Sequence, residues 1–270
     1  MPAGKAVLNV RDMGIIRGFG LFESLRTYHG VPFLLSEHLD RLLDAAKRIQ
    51  LRLPLSKHGF YQIVMKLIRK NQFPDALIRI IVTGGIAPSL VPQGKTSVII
   101  LLDPFHAFPP AQYEKGIALK TTPFMRIHPE VKSTVYFGAV LGHREALKNG
   151  FTEAVYVDEK GAILEGTTYS VCAVLPGPRL VIPKIRVLHS ITADCVIRIA
   201  KKKRIPVERR SITRAVRQRA LEMFITSSNR ELIPVVRVDR QRIGKGRPGI
   251  VTRELHRAYR SMVMAISGNF

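Results

Sequence analysis

The chain has no tryptophan, two cysteines in 270 residues, and 20 acidic side chains against 43 basic ones. Each shortage excludes something. Cys172 and Cys195 both lie inside apolar stretches without metal-ligand spacing, so they build neither a disulfide framework nor a zinc cluster. They read as core filler in a protein of a reducing cytoplasm. No stretch approaches the roughly 18 apolar residues of a membrane span, and the opening "MPAGKAVLNVRDMG" lacks the apolar core of a secretion signal. The expectation is a soluble protein with no membrane partner and no metal.

What is present is a globular composition. Apolar residues make up 46% of the chain and charged residues 23%, with 20 Gly and 17 Pro spread throughout, enough to bury a full core in two domains of ordinary size. The excess of positive charge is uneven. Residues 179–260 hold 22 Lys and Arg against 6 Asp and Glu, leaving 21 against 14 elsewhere. A field of that sign attracts polyanions, which makes a basic nucleic-acid-binding protein one reading of the chain. Against it, the basic residues are scattered among apolar ones, and no helix-turn-helix, zinc-finger or RRM signature appears. "AKKKRIPVERR" reads as a helix C-terminus, where cations complement the carbonyl end of the dipole, followed by a solvated strand edge.

Strands and helices alternate along the sequence. "FGLFESLRTYHGVPFLL" reads as two strands around a turn at His29–Gly30. Leu39, Leu42, Leu43, Ala46 and Ile49 recur at helical spacing behind Ser36, an expected N-cap. "KHGFYQIVMKLIRKN" is a second helix, and "ALIRIIVTGG" and "TSVIILLDP" are apolar strands. "TTPFMRIHPE", with two prolines and no clean period, reads as a connection. Beyond it come a helix closed by Gly150, a hairpin turning at "EKG", a helix capped by Ser190, a strand-turn-strand over "MFITSSNRELIPVVRVD", and a closing helix. The fold class is mixed α/β, with an N-terminal domain over 1–118, a connection over 119–128 and a C-terminal domain over 129–270.

Among the lysines, Lys132 in "EVKSTVYFGAV" stands at an element boundary, after a proline-containing loop and before a helix. That position places its amine in partly buried space, where a desolvated lysine is a nucleophile of the kind Schiff-base chemistry requires. Position alone carries little, since most lysines are solvated.

Four stretches change that: "RDMGIIRGFGLFESLRTYHGVPFLLSEHLDRLLDAAK", "VKSTVYFGAVLGHREALKNGFTEAVYVDEKGAILEGTTYSV", "VLHSITADCVIRIA" and "FITSSNRELIPVVRVDRQRIGKGRPG". In order and spacing they resemble the fold-type IV pyridoxal-phosphate enzymes: branched-chain aminotransferases, D-amino-acid transaminases, (R)-selective amine transaminases and aminodeoxychorismate lyase. The resemblance covers nearly the whole chain. It implies a smaller N-terminal α/β domain, a larger C-terminal pseudo-barrel domain, pyridoxal 5′-phosphate as cofactor, and a homodimer whose active site lies between the domains. It makes Lys132 the Schiff-base lysine that also moves the proton between substrate Cα and cofactor C4′, and Glu165 the acid that pairs with the pyridine nitrogen. Arg41, the Ile191 and Thr192 backbone N–H groups at a helix start, and Ser228 match phosphate donors. Tyr136 matches the partner of the cofactor's phenolic oxygen, and Leu188 a side chain packed on one ring face. Phe22, Arg79 and Asn229 match substrate contacts.

Departures from the family pattern bear on substrate. The asparagine usual five residues after the ring-pairing acid is Ser170, and the tyrosine usual two residues before Arg79 is Leu77. Gly84 stands where D-amino-acid transaminases typically carry a carboxylate-binding arginine. Arg17 and Phe19 replace the more usual tyrosine and aspartate. The expected reaction is therefore transamination between an apolar, branched-chain type of L-amino acid and a 2-oxo acid such as 2-oxoglutarate. A lyase of the aminodeoxychorismate type, which consumes no oxo acid, and an (R)-amine or D-amino-acid transaminase are the enzyme alternatives.

Overall fold

The computed structural model describes residues 1–268. The chain divides into two compact units: Met1–His106 with Val131–Tyr136 and the residues from Val263, and Ala107–Glu130 with Phe137–Met262. The mixed α/β class expected from the sequence is what forms.

The first unit contains α1 (Met13–Ile16), β1 (Gly20–Tyr28), β2 (Val31–Pro32), α2 (Leu35–Arg48), α3 (Lys57–Asn71), β3 (Ala76–Thr83) and β4 (Ser97–Pro104). The strands make one antiparallel sheet in the order β2-β1-β3-β4. Alternation decides which face is covered: Leu21, Leu25, Ile78, Ile80 and Val82 are fully buried and meet Leu39 and Leu42 of α2 and Phe60 and Val64 of α3. These helix residues recur every three or four positions, so each helix turns one apolar stripe to the sheet. Each such side chain contributes about 1.5–3 kcal/mol of transfer free energy.

The start of α2 differs from expectation. The cap position is Leu34, in the left-handed region at φ 55°, and Ser36 lies inside the first turn. The chain leaves β2 so abruptly that the entry is closed by backbone, with the His38 N–H donating to the Leu34 carbonyl at 3.1 Å. By contrast Ser56 caps α3 by side chain, accepting from the Gly59 N–H at 3.2 Å.

The second unit contains α4 (Pro110–Lys115), β5 (Ile117–Thr122), α5 (Phe137–Lys148), β6 (Glu153–Val157), β7 (Ile163–Gly166), β8 (Ser170–Leu175), β9 (Arg179–Ile182), α6 (Ile191–Lys202), β10 (Val207–Arg209), α7 (Arg214–Arg219), β11 (Glu222–Ser227), β12 (Glu231–Val238), β13 (Gln241–Arg242) and the start of α8 (Ile250–Ser267). Its nine-stranded sheet runs β10-β9-β8-β11-β12-β5-β6-β7, with β13 on β12. Parallel pairs β12/β5 and β5/β6 sit amid antiparallel ones. Val155, Ile163, Val171, Ile225 and Ile233 form its core at 0–1% exposure, which explains the near-continuous apolar runs of these strands. The basic "KKKR" run closes α6, and β10 forms the sheet edge, as the sequence suggested. Among the described residues no helix is long and apolar enough to cross a membrane.

Candidate active site

Lys132 belongs to the first unit and is half-buried. Its segment lies along the start of β1: the Phe22 N–H donates to the Lys132 carbonyl at 2.9 Å, Ser133 bridges Leu21, and the Thr134 N–H donates to the Gly20 carbonyl at 2.9 Å. Thr134 Oγ1 also donates to the Gly18 carbonyl at 2.8 Å. This close approach needs Gly20, because a Cβ there would lie 2.9 Å from the Val82 carbonyl oxygen and 3.2 Å from Thr134 Oγ1. The result aims the amine at an aromatic face, with Lys132 Nζ 4.5 Å from the Phe22 ring centroid. Tyr136 meets the same ring edge-on at 5.4 Å. Ser24 pairs with Arg79 across β1 and β3, so Phe22 and Arg79 share a sheet face, and Arg79 there pairs with Asp103 at 2.8 Å.

On the opposite face Glu23 is completely buried. Arg41 grips it with a fork, Nε donating to Oε1 at 2.8 Å and Nη2 to Oε2 at 2.7 Å, while His38 Nδ1 lies 2.7 Å from Oε2. Burial alone would push the Glu23 carboxyl up, but the charge and hydrogen bonds of Arg41, joined by His38, hold it down at about 2. Burial pushes His38 the other way, below the ordinary histidine value, with the Arg41 and Lys132 charges adding to the effect against the pull of Glu23. A neutral His38 beside an ionised Glu23 must carry its proton on Nδ1 and donate it. The expected phosphate arginine, Arg41, is thus oriented by a carboxylate that sequence reasoning did not single out. The signal was there, since His38 and Arg41 stand three apart on one helix face.

In the second unit β7 carries Glu165, 5% exposed. Arg126 donates from Nε to Oε1 at 2.8 Å, with Nη2 2.7 Å from the same oxygen, and the Leu188 N–H donates to Oε2 at 3.0 Å. Arg126 Nη2 also donates to the Pro129 carbonyl. The loop bearing Leu188 is clamped by Arg186, which pairs with Asp158 at 2.8 Å. Arg126, the partner of this candidate site carboxylate, is the residue that the sequence reading missed. It lies in the aperiodic "TTPFMRIHPE" stretch, but a buried carboxylate requires a cationic partner, and that demand was the available clue. A cavity of about 200 Å³ is lined by Glu165, Ser170, Leu188, Ser190 and Ile197, among others, and so reaches the position where Ser170 replaces the family's asparagine.

Helix α6 begins as expected, Ser190 Oγ accepting from the Ala193 N–H at 3.2 Å. Its first N–H groups, at Ile191 and Thr192, have no partner within the helix, and the positive end of its dipole lies there. Thr192 Oγ1 and Ser228 Oγ are 3.5 Å apart. The Ser228–Asn229 turn is fixed by Arg230, which donates to Thr168 Oγ1 at 2.7 Å and pairs with Glu153. Two residues before Ser228, Thr226 Oγ1 is fully buried without a hydrogen-bond partner among the described residues.

These groups fit pyridoxal phosphate. The cofactor needs an amine for its aldehyde, an acid for its ring nitrogen and donors for a dianionic phosphate; the chain offers half-buried Lys132, buried Glu165, the paired hydroxyls of Thr192 and Ser228 at a helix N-terminus, and a buried hydroxyl at Thr226 without a partner among the described residues.

Comparison with known proteins agrees. Residues 20–238 match the model of the amino-transferase class IV family. A putative branched-chain-amino-acid aminotransferase of Methanocaldococcus jannaschii is 34% identical over 266 residues, covering 95% of this chain and 91% of that one. A D-alanine aminotransferase of Staphylococcus haemolyticus is 28% identical over 265 residues, covering 96% and 93%. The solved structure of a branched-chain amino acid aminotransferase from T.th. with pyridoxamine 5′-phosphate superposes with a TM-score of 0.91 at 27% identity, covering 100% of this chain and 92% of that one. The chain belongs to the class IV aminotransferases and works with pyridoxal phosphate.

Proposed function

We propose that the enzyme transfers the amino group of a branched-chain or similarly apolar L-amino acid to a 2-oxo acid such as 2-oxoglutarate. The observation that carries this reading is the setting of Gly84: a Cβ there would already lie 2.9 Å from Met13 Sδ and Phe19 Cδ1, so the arginine expected of a D-specific relative would have to displace both side chains. The Lys132 amine meanwhile faces the ring of Phe22, an apolar wall for an apolar side chain. The M. jannaschii relative supports the same substrate class.

In this reading Lys132 holds the cofactor aldehyde and carries the proton between substrate Cα and cofactor C4′. When bound, the cofactor supplies the electron sink for the pair left on Cα. Glu165, kept in place by Arg126 and the Leu188 N–H, pairs with the ring nitrogen. Arg41, the Ile191 and Thr192 N–H groups and the Ser228 hydroxyl bind the phosphate; Tyr136 serves the phenolic oxygen; Leu188 covers a ring face; Arg79 and Asn229 meet the substrate. The working form is a homodimer in a reducing cytoplasm. α5 supports the dimer, since it exposes Phe137 at 76% and Val140 and Leu141 at about half, an apolar face suited to a second copy.

The test is a donor panel of L- and D-amino acids with 2-oxoglutarate and pyruvate, joined to peptide mapping after borohydride reduction. L-leucine-type donors and a pyridoxyl group on the peptide containing Lys132 are expected. D-alanine as the preferred donor would install the second reading, which the S. haemolyticus relative supports.

A further inference from the structure

One group of cations in the second unit has no part in this chemistry. A concavity of about 670 Å³ is lined by Lys160, Arg214, Arg217, Arg240 and Arg242, with Asp239 as its one acidic side chain. Three separate segments converge on it: the turn at Lys160–Gly161, helix α7, and the β12–β13 hairpin. The positions are built. Gly161 and Asp239 take left-handed φ of 73° and 50°, which sets both turns. Arg217 Nε donates to Gln241 Oε1 at 2.7 Å and ties α7 to β13.

Asp239 does not neutralise the group. Its carboxylate accepts from the Thr121 N–H at 2.9 Å and from Thr121 Oγ1 at 2.8 Å, and lies 3.7 Å from Lys120 Nζ. Among the described residues, the side chains of Lys160, Arg214, Arg240 and Arg242 enter no hydrogen bond or ion pair. Several other arginines of the unit are matched, Arg186 by Asp158, Arg209 by Asp194, and Arg210 by Glu208. Partial burial, with the charge of Arg214 beside it, also disfavours the Arg217 cation against the pull of Asp239, a mismatch that a bound anion would relieve.

We propose that this concavity is a binding site for a small polyanion carrying several linked phosphates, such as a nucleoside triphosphate or inorganic triphosphate. Five cations exceed what one phosphate can engage, while a triphosphate offers acceptors for the guanidinium forks of α7 and the β12–β13 hairpin and for the Lys160 ammonium on the third segment. The volume is that of a small-ligand cleft. A nucleic-acid surface would instead track a backbone as an extended groove with stacking aromatics, and no aromatic residue lines this site. The site goes beyond transamination and uses none of its residues.

Titration calorimetry of inorganic triphosphate into the cofactor-loaded enzyme tests it. One saturable site per chain is expected, with orthophosphate at least roughly tenfold weaker, because each lost charge-assisted contact costs about that factor. The double variant Arg240→Ser, Arg242→Ser should weaken triphosphate by roughly tenfold or more while the cofactor absorbance and transaminase rate stay unchanged. Arg214→Ser, on a different segment, should weaken it independently. No saturable binding, equal affinity in all variants, or orthophosphate as tight as triphosphate would overturn the proposal. So would a single-stranded oligonucleotide that displaces triphosphate with several nucleotides engaged per chain, which would mark a nucleic-acid face instead.

Discussion

Two buried carboxylates, Glu23 and Glu165, are each gripped by an arginine, and their surroundings differ in origin. Glu23 takes its partners from one helix, His38 and Arg41 standing a turn apart on α2. Glu165 takes its partners from two irregular segments, Arg126 ahead of Lys132 and the Leu188 N–H ahead of α6. The first arrangement is as rigid as the helix that carries it. The second depends on distant clamps, Arg186 on Asp158 and Arg126 on the Pro129 carbonyl. On the roles proposed above, the carboxylate that serves the framework is held by regular structure, and the one assigned to the ligand is held by loops that can be tuned without disturbing the core.

Replacing each carboxylate should separate the two roles. Glu23→Ala strands Arg41 and His38 in the interior and is expected to cost about 3–5 kcal/mol in denaturant unfolding. Glu165→Gln keeps shape and the Arg126 hydrogen bonds, so the same melts should move less, while the proposed pairing with the ring nitrogen predicts a fall in kcat on the order of a hundredfold or more. Equal damage to stability from both would erase the distinction.

Acid sharpens it further. Glu23 is held at about 2 against an ordinary 4.5, so its contribution is complete above pH 4.5 and is lost as pH falls toward 2, a difference of roughly 3 kcal/mol. Glu231, also held at about 2 by His256 and Arg260 against the cost of burial, loses its share in the same window. His38 adds an earlier slope with the same sign: below the ordinary histidine value of 6.5 the unfolded chain takes up a proton that the buried ring refuses. Stability measured from pH 7 to 3 should therefore fall in two stages, and in Glu23→Gln the later stage should shrink.

The smaller effects lie on the loop side. Arg126→Lys keeps the charge but loses the fork, and roughly a tenfold loss of kcat with a shifted cofactor absorbance is expected. Ser190→Ala removes the cap of α6 and should cost about 1 kcal/mol, with weaker retention of the cofactor on dialysis.

The same contrast governs how much could be read in advance. Regular elements announced themselves: the stripes of α2 and α3 and the Ser190 cap were visible as spacing, and the family pattern pointed to Lys132 and Glu165 by their neighbours. Ser36 misled because cap propensity describes a side chain, whereas the entry to α2 is closed by the backbone of a left-handed Leu34. β9 and β10, four and three residues long, contain too few alternations to show a period. Arg126 was hidden for the same reason at the level of the site: its partner is 39 residues away, and no local rule reports a contact of that range.

The assignment of Val131–Tyr136 to the first unit, flanked on both sides by sequence of the second, has a consequence for biosynthesis. Val131, 3% exposed, is packed in the first unit's core, and the strand-like neighbour of Gly20–Phe22 is supplied only when this segment arrives. A nascent chain released by the ribosome up to residue 118 has the helices and sheet of that unit but an uncovered edge at β1. Lys132, the proposed Schiff-base lysine, and a missing piece of the first unit's core are therefore delivered in the same stroke of translation, ahead of the residues from Val263 that complete the unit.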